Sequence, residues 1–184
     1  MTTFQIPAYY PVSLTLTSDE IEEFHLARIL LLLRHCGRQN RIAGLTKFAK
    51  LDFFVRYPTF FDRANTSSGA TVTGSTTESP VESSMVRHHY GPWDKRYYHL
   101  LARLASTGLI TVLKSKNTYN ISLTETGVQY ANELSNDASF EGLKNHMRNV
   151  SKIFGGFNGT KLKNLIYETF EKEVAERPMG DGIQ

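Results

Sequence analysis

Apolar residues recur in this chain with a period that switches between helix-like and strand-like, and the switches outline its elements. Ile21, Phe24, Leu26, Ile29, Leu30 and Leu33 fall at helical spacing and predict a helix running to about His35. The unbroken apolar run 29–33 places that helix centrally in the core. Ser18, Asp19 and Glu20 form its expected cap and acidic first turn, and Gly37 closes it. A polar link, 38–41, leads to a second helical stretch at 44–57, built on Leu45, Phe48, Ala49, Leu51, Phe53 and Val55. Its polar positions, Lys47, Lys50 and Arg56, are expected to point away from the core. Pro58 disfavours helical geometry at Tyr57 and so ends the helix.

The most informative stretch is 85–123. It reads as an extended segment (85–90), a turn at Gly91, Pro92, Trp93 and Asp94, one helix, then a hairpin. Asp94 is the expected N-cap. Tyr97, Leu100, Leu101 and Leu104 share one helical face, while Lys95, Arg96, His99 and Arg103 fall on the other. Gly108 reaches the left-handed conformation that ends a helix. The β-rich runs 109–113 and 119–123 flank a polar tip, 114–118. Helix, glycine, strand, basic tip, strand predicts a winged helix-turn-helix: mostly α, with a small β-hairpin wing and additional C-terminal helices.

The remaining boundaries follow from composition. Residues 1–17 read as an extended N-terminal arm, and 18–134 as the winged-helix domain. Within it, the Ser/Thr/Gly-rich stretch 64–84 predicts a flexible insertion, having too little apolar surface to offset the cost of ordering. Residues 135–176 form a helical extension. Thr124 caps its lead-in helix, a further helix spans 140–154, and Thr160 caps the last one. The tail 177–184, with Pro178 and two glycines, is expected to fray.

Composition adds exclusions. The longest apolar run is far too short to cross a bilayer, and the single cysteine, Cys36, rules out an internal disulfide. A reducing cytoplasm and a buried, inert Cys36 are the expectations. The net charge of +3 hides a segregation, because residues 28–116 hold 14 of the 21 basic side chains against five acidic ones. Such a band suggests contact with a polyanion or an acidic protein face, the alternative being a solvated face without a partner.

No catalytic site is legible, so the chain is expected not to be an enzyme and to need no cofactor. Glu20, Glu22 and Glu23 suit a helix start. Glu168, Glu171 and Glu173 read as a solvated face. His88 and His89 should point to opposite sides of an extended segment and lack the partners a metal would need. The glycine-rich run 155–161 has the wrong residue order and spacing for a phosphate loop. What remains is a candidate nucleic-acid or partner-binding set: Lys95, Arg96, His99 and Arg103 on the helix, Lys114 and Lys116 on the wing, and Arg87 beside them. With no Asn or Gln on that helix to read adenine, sequence-tolerant contact with double-stranded DNA fits better than operator recognition. Trp93, with Tyr90, Tyr97 and Tyr98 near it in sequence, suits either a core cluster or an interface anchor.

Two blocks, 51–58 (LDFFVRYP) and 82–94 (ESSMVRHHYGPWD), with the Ser/Thr-rich gap between them and the strand-forming stretch 109–119, resemble a known family. It is the small middle component of ABC-three-component bacterial defence systems, the group that includes the LmuC-type subunit of Lamassu systems. The resemblance covers about residues 20–130 and leaves the C-terminal helices unmatched. It implies a non-catalytic winged-helix subunit acting in the cytoplasm. Its partners would be an SMC-like or Rad50-like ABC ATPase and an effector, often a nuclease, directed against phage or plasmid DNA. The competing expectation, from the helix order and basic face alone, is a stand-alone transcriptional regulator.

Overall fold

The computed structural model describes residues 21–67, 85–176 and 178–183. The most apolar stretch forms α1 (Glu22–Cys36), in which 29–33 are buried on every side. A tight turn follows, with Gln39 and Asn40 both at positive φ (53° and 59°) and an Arg38–Arg41 bridge closing it. That geometry matches strand twist and launches β1 (Arg41–Ala43), a strand that starts at the last residue of the polar link 38–41. Next come α2 (Leu45–Arg56) and, directly after it, α3 (Pro58–Ser67). Pro58 does end α2, but it also opens α3, because a first helical turn has no need of the missing N–H.

Residues 64–67, expected to belong to the flexible insertion, are therefore helical, and Ala64 and Asn65 are buried. The rest of that insertion and the N-terminal arm lie outside the described residues. The expected turn at 91–94 is instead half of a hairpin, β2 (Val86–His88) with β3 (Gly91–Trp93). The central helix, α4 (Tyr97–Ser106), buries Tyr97, Leu100, Leu101 and Leu104 as their spacing predicts. Gly108 sits at φ +73° and turns the chain into β4 (Ile110–Ser115), which pairs with β5 (Thr118–Leu123). The sheet is antiparallel in the order β1-β5-β4, and Ile42, Ile121 and Val112 stand side by side across it.

Three helices complete the structure: α5 (Glu125–Asn136), α6 (Glu141–Phe154) and α7 (Gly159–Thr169), which continues into a π-helical turn at Glu171–Ala175. Thr124 caps α5 as expected, accepting from Gly127 N. The cap of α7 is Asn158, not Thr160, and its side chain accepts from Lys161 N. These helices close over α1 and α2 in one core, with the Phe154 ring stacked 4.5 Å from Phe54 and Phe170 beside Phe53. The architecture is mostly helical with a small antiparallel sheet.

Within the tail, the described segment 180–183 is paired rather than frayed. Arg87 N donates to Asp181 O, Ile183 N donates to Met85 O, and Ile183 is fully buried, so 180–183 run along β2 as an added edge. Cys36 is buried at the end of α1, and loss of solvation pushes its thiol up to about 12.

One contact fixes where α5 meets the lead into β4. A Cβ at Gly127 would lie 1.9 Å from the carbonyl oxygen of Leu109. Gly127→Ala is expected to destabilise by about 1–3 kcal/mol, because backbone must move to admit the methyl group. A urea midpoint equal to that of the unaltered chain would contradict this.

Candidate partner-binding face

The outer surface of α4 divides into two strips, because residues three and four apart share a side. Lys95, His99 and Arg103 follow one strip, toward α1. Arg103 Nε lies 2.9 Å from Glu22 Oε1, and His99 Nε2 lies 3.2 Å from Glu22 Oε2. Exposed pairs of this kind contribute at most about 1 kcal/mol, so Glu22 lowers the local charge without locking either side chain in place. Tyr98, Ala102 and Ala105 follow the other strip, toward the β4–β5 hairpin.

Arg96 belongs to neither strip. Its guanidinium turns back to Asp94, donating from Nε and Nη2 at 3.0 and 2.8 Å, while its backbone N–H donates to the same carboxylate. Asp94 also accepts from Arg56 Nη1 at 2.7 Å. Burial alone would raise the Asp94 pKa. The Arg96 hydrogen bonds and the Arg56 charge override it and hold the carboxyl well below the usual range. Asp94 is thus not the N-cap of α4, whose cap position is Arg96 and carries no side-chain cap bond. It is the anchor that fixes how α4 leaves the β2–β3 hairpin.

A second buried cluster holds α4 from beneath. Arg28 and Asp52 are both fully buried, and Arg28 Nε donates to Asp52 Oδ1 at 2.9 Å. The Tyr97 hydroxyl donates to Asp52 Oδ2 at 2.6 Å, and burial followed by the Asp52 charge raises the tyrosine pKa. His25 joins the clusters, with Nδ1 2.8 Å from Arg28 Nη1 and Nε2 2.9 Å from Arg96 Nη1. Ties between α1, α2 and α4 at this depth set the angle at which α4 presents its outer strips.

Between the second strip and the β4–β5 hairpin runs an apolar groove of about 300 Å³, walled by Leu45, Tyr98, Leu101, Val112 and Tyr119. It adjoins a pocket of about 370 Å³ where the start of α2, the β2–β3 turn and the β4–β5 hairpin meet. Tyr90, Trp93, Tyr98 and Tyr119 face this pocket, and Lys50 lines it from below. Lys50 is 1% exposed and donates to Pro92 O at 2.7 Å. Burial lowers its pKa from 10.5 to about 7.

Against the sequence expectations, Lys50 and Arg56 point inward, not away, because nearly every side of α2 is covered. The charged band is correspondingly thinner at the surface, with Arg28, Lys50 and Arg56 buried and Arg96 folded back. Lys95, Lys114 and Lys116 are exposed as expected. Arg87 is half-buried on β2, where its backbone pairs with the C-terminal segment. His88 and His89 do not diverge, since β2 ends between them and their rings meet edge to face at 5.1 Å. Trp93 packs edge-on against the buried Tyr97 and leans on Tyr98, so it serves the core and the pocket at once, whereas Tyr90 is exposed. Sequence reasoning missed His25, Arg28, Lys50 and Asp52. The available signal was density: a helix as apolar as 48–55 has no free side on which to solvate its charges.

No helix among the described residues is long and apolar enough to cross a membrane. No protein-family model, curated protein or solved structure matches the chain.

Proposed function

We propose that this chain is a non-catalytic winged-helix accessory subunit that binds a protein partner through α4 and the wing. Supporting the fold reading, the helix–strand–helix start and the helix–strand–strand finish are joined by β1 pairing with β5, so that β4–β5 projects as the wing beside α4. The observation that carries the binding mode is the apolar strip Tyr98, Ala102 and Ala105, facing Val112 and Tyr119. A helix that reads base edges presents hydrogen-bonding groups along that line, and here the line is methyl groups and one ring. Tyr98 is 66% exposed, an aromatic anchor awaiting a pocket on a partner.

The resemblance of 51–58 and 82–94 to the middle component of ABC-three-component systems supplies the partner. It is an SMC-like or Rad50-like ABC ATPase, in a cytoplasmic bacterial complex that also carries an effector directed at phage or plasmid DNA. Co-purification with an ATPase encoded beside this chain tests the reading. Tyr98→Ala combined with Ala102→Glu should weaken the complex on the order of 100-fold, since an aromatic hot spot contributes about 2 kcal/mol or more and a buried unpaired charge adds to the loss. The unfolding midpoint should not move, because both side chains face solvent. Undiminished assembly of the double variant would remove the binding mode, and a gene neighbourhood without such an ATPase would remove the partner.

Contact with DNA has its own supporting observation. Lys116 stands exposed in the two-residue tip of the wing, at φ +52°, and Lys114 is exposed two residues before it on β4. Contact there would be through phosphates, tolerant of sequence and weakened steeply by salt. A stand-alone regulator would instead favour its operator by roughly 10³-fold or more over random DNA. Equal affinity for both sequences, lost on Lys114→Glu with Lys116→Glu, separates the two.

A further inference from the structure

The pocket beside the groove has a chemistry that protein docking leaves unexplained. Its walls are aromatic, yet beneath them lies a lysine with almost no access to water. An ammonium group carries three N–H donors, and among the described residues Pro92 O is the one acceptor that Lys50 Nζ meets. A Cβ at Gly91 would sit 3.5 Å from that nitrogen, so the absence of a side chain there keeps the amine close under the pocket surface. Holding an amine at this depth is unfavourable, and an aliphatic side chain of similar length would fill the space without that cost.

Two further features favour an anion in the same place. Gly44, Leu45 and Thr46 line the rim, and they begin α2, whose cap position is a glycine with no side chain to satisfy the first-turn N–H groups. Among the described residues, no aspartate or glutamate lines the pocket. The aromatic walls ask for something flat, and the side-chain amide of Asn117 at the rim can both donate to and accept from a heterocycle edge. The volume suits a single nucleotide rather than a peptide helix.

We propose that this pocket binds a nucleotide, with its base against the aromatic wall of Tyr98 and Tyr119 and its phosphate at the start of α2 above Lys50. A free mononucleotide and the phosphorylated end of a single strand offer that same chemistry. The inference does not depend on the identity of any protein partner. The glycine-rich run 155–161 does not line this pocket: it spans the α6–α7 connection and the first residues of α7, where Gly159 packs against Thr46 and Lys47 from outside the pocket.

Trp93 is the one tryptophan of the chain and it lines the pocket, so its fluorescence reports occupancy directly. The experiment titrates the full chain with AMP, adenosine, inorganic phosphate and a 5′-phosphorylated DNA tetranucleotide, corrects for absorbance, and repeats each titration by calorimetry. AMP or the tetranucleotide should quench saturably, and whichever binds more tightly identifies the source. Adenosine should bind at least about tenfold more weakly than AMP, since it lacks the charge that Lys50 meets. Tyr98→Ala and Tyr119→Ala should each weaken binding by about tenfold, within the range of one base–aromatic stack. Both residues are solvent-facing, so these variants keep the fold intact. Lys50→Met should bind AMP no better than adenosine. The proposal is overturned if neither phosphate-bearing probe quenches at millimolar concentration, if adenosine equals AMP, or if the tyrosine variants bind as the unaltered chain does.

Discussion

Asp52→Ala is expected to remove about 3–5 kcal/mol of folding stability, the cost of leaving a buried charge without its partner. Arg28 has no route to water: it is fully buried, and its Nε donates to Asp52 Oδ1. The Tyr97 hydroxyl would lose its acceptor at the same moment, orphaning a second buried polar group. A loss of this size is a large share of the 5–15 kcal/mol typical of a domain, so the urea midpoint should fall sharply. The pair need not itself be strongly stabilising. Replacing both residues together, Arg28→Leu with Asp52→Leu, should cost much less than the sum of the single changes, since neither charge is then stranded. Additive single effects would show that the two side chains are not coupled, and the account of how α4 is oriented would fail with them. The double variant should also loosen Tyr97, which can be followed as greater mobility of α4 in amide exchange.

Lys50→Met should stabilise the protein at neutral pH. Above about pH 10.5 the amine is neutral in both the folded and the unfolded chain, and its burial carries no charge penalty. As pH falls from there toward 7, the unfolded chain holds a proton that the folded chain lacks. Stability therefore declines, by up to about 1.4 kcal/mol per pH unit. Below about 7 the folded chain takes up the proton too, and the penalty levels off at roughly 4–5 kcal/mol. Methionine removes the titration, at the loss of about 1 kcal/mol for the hydrogen bond to Pro92 O. The difference in unfolding free energy between the two proteins should be largest at pH 7 and shrink toward pH 10. A difference that stays flat across that window would mean that Lys50 remains charged and solvated in the folded state. A residue kept at such a disadvantage needs a reason outside stability, and a ligand anion above it is one.

Local chemistry decided a definite part of this molecule. The 3.6-residue spacing of Tyr97, Leu100, Leu101 and Leu104 was enough to place α4 and its buried face, since a helix displays neighbours three and four apart whatever surrounds it. Gly108 and Thr124 marked turns whose causes, a left-handed backbone and a side-chain cap, lie within a few residues. The apolar run 29–33 announced a central helix because no solvated side is left to it.

Tertiary structure decided what happens to the charges and edges. Helical spacing puts Lys50 and Arg56 on the more polar side of α2, but that side is covered by β3 and the start of α4, and only the assembled fold brings Pro92 O and Asp94 to meet them. The same spacing exposes both His99 and Tyr98. Which flank meets Glu22 and which faces the β4–β5 hairpin depends on how α1 and β4–β5 pack, 77 residues apart in one case and a turn away in the other. β1 is too short to show a period, and it exists because β5 offers it an edge. The 180–183 segment is ordered for a similar reason: β2 leaves backbone groups open and Ile183 finds a place in the core. Periodicity is a property of neighbours in sequence and so reveals elements and faces. The burial of a charge and the pairing of an edge are long-range outcomes, and here they drew Arg28, Lys50 and Arg56 inward and set an apolar groove beside the basic residues that stay exposed.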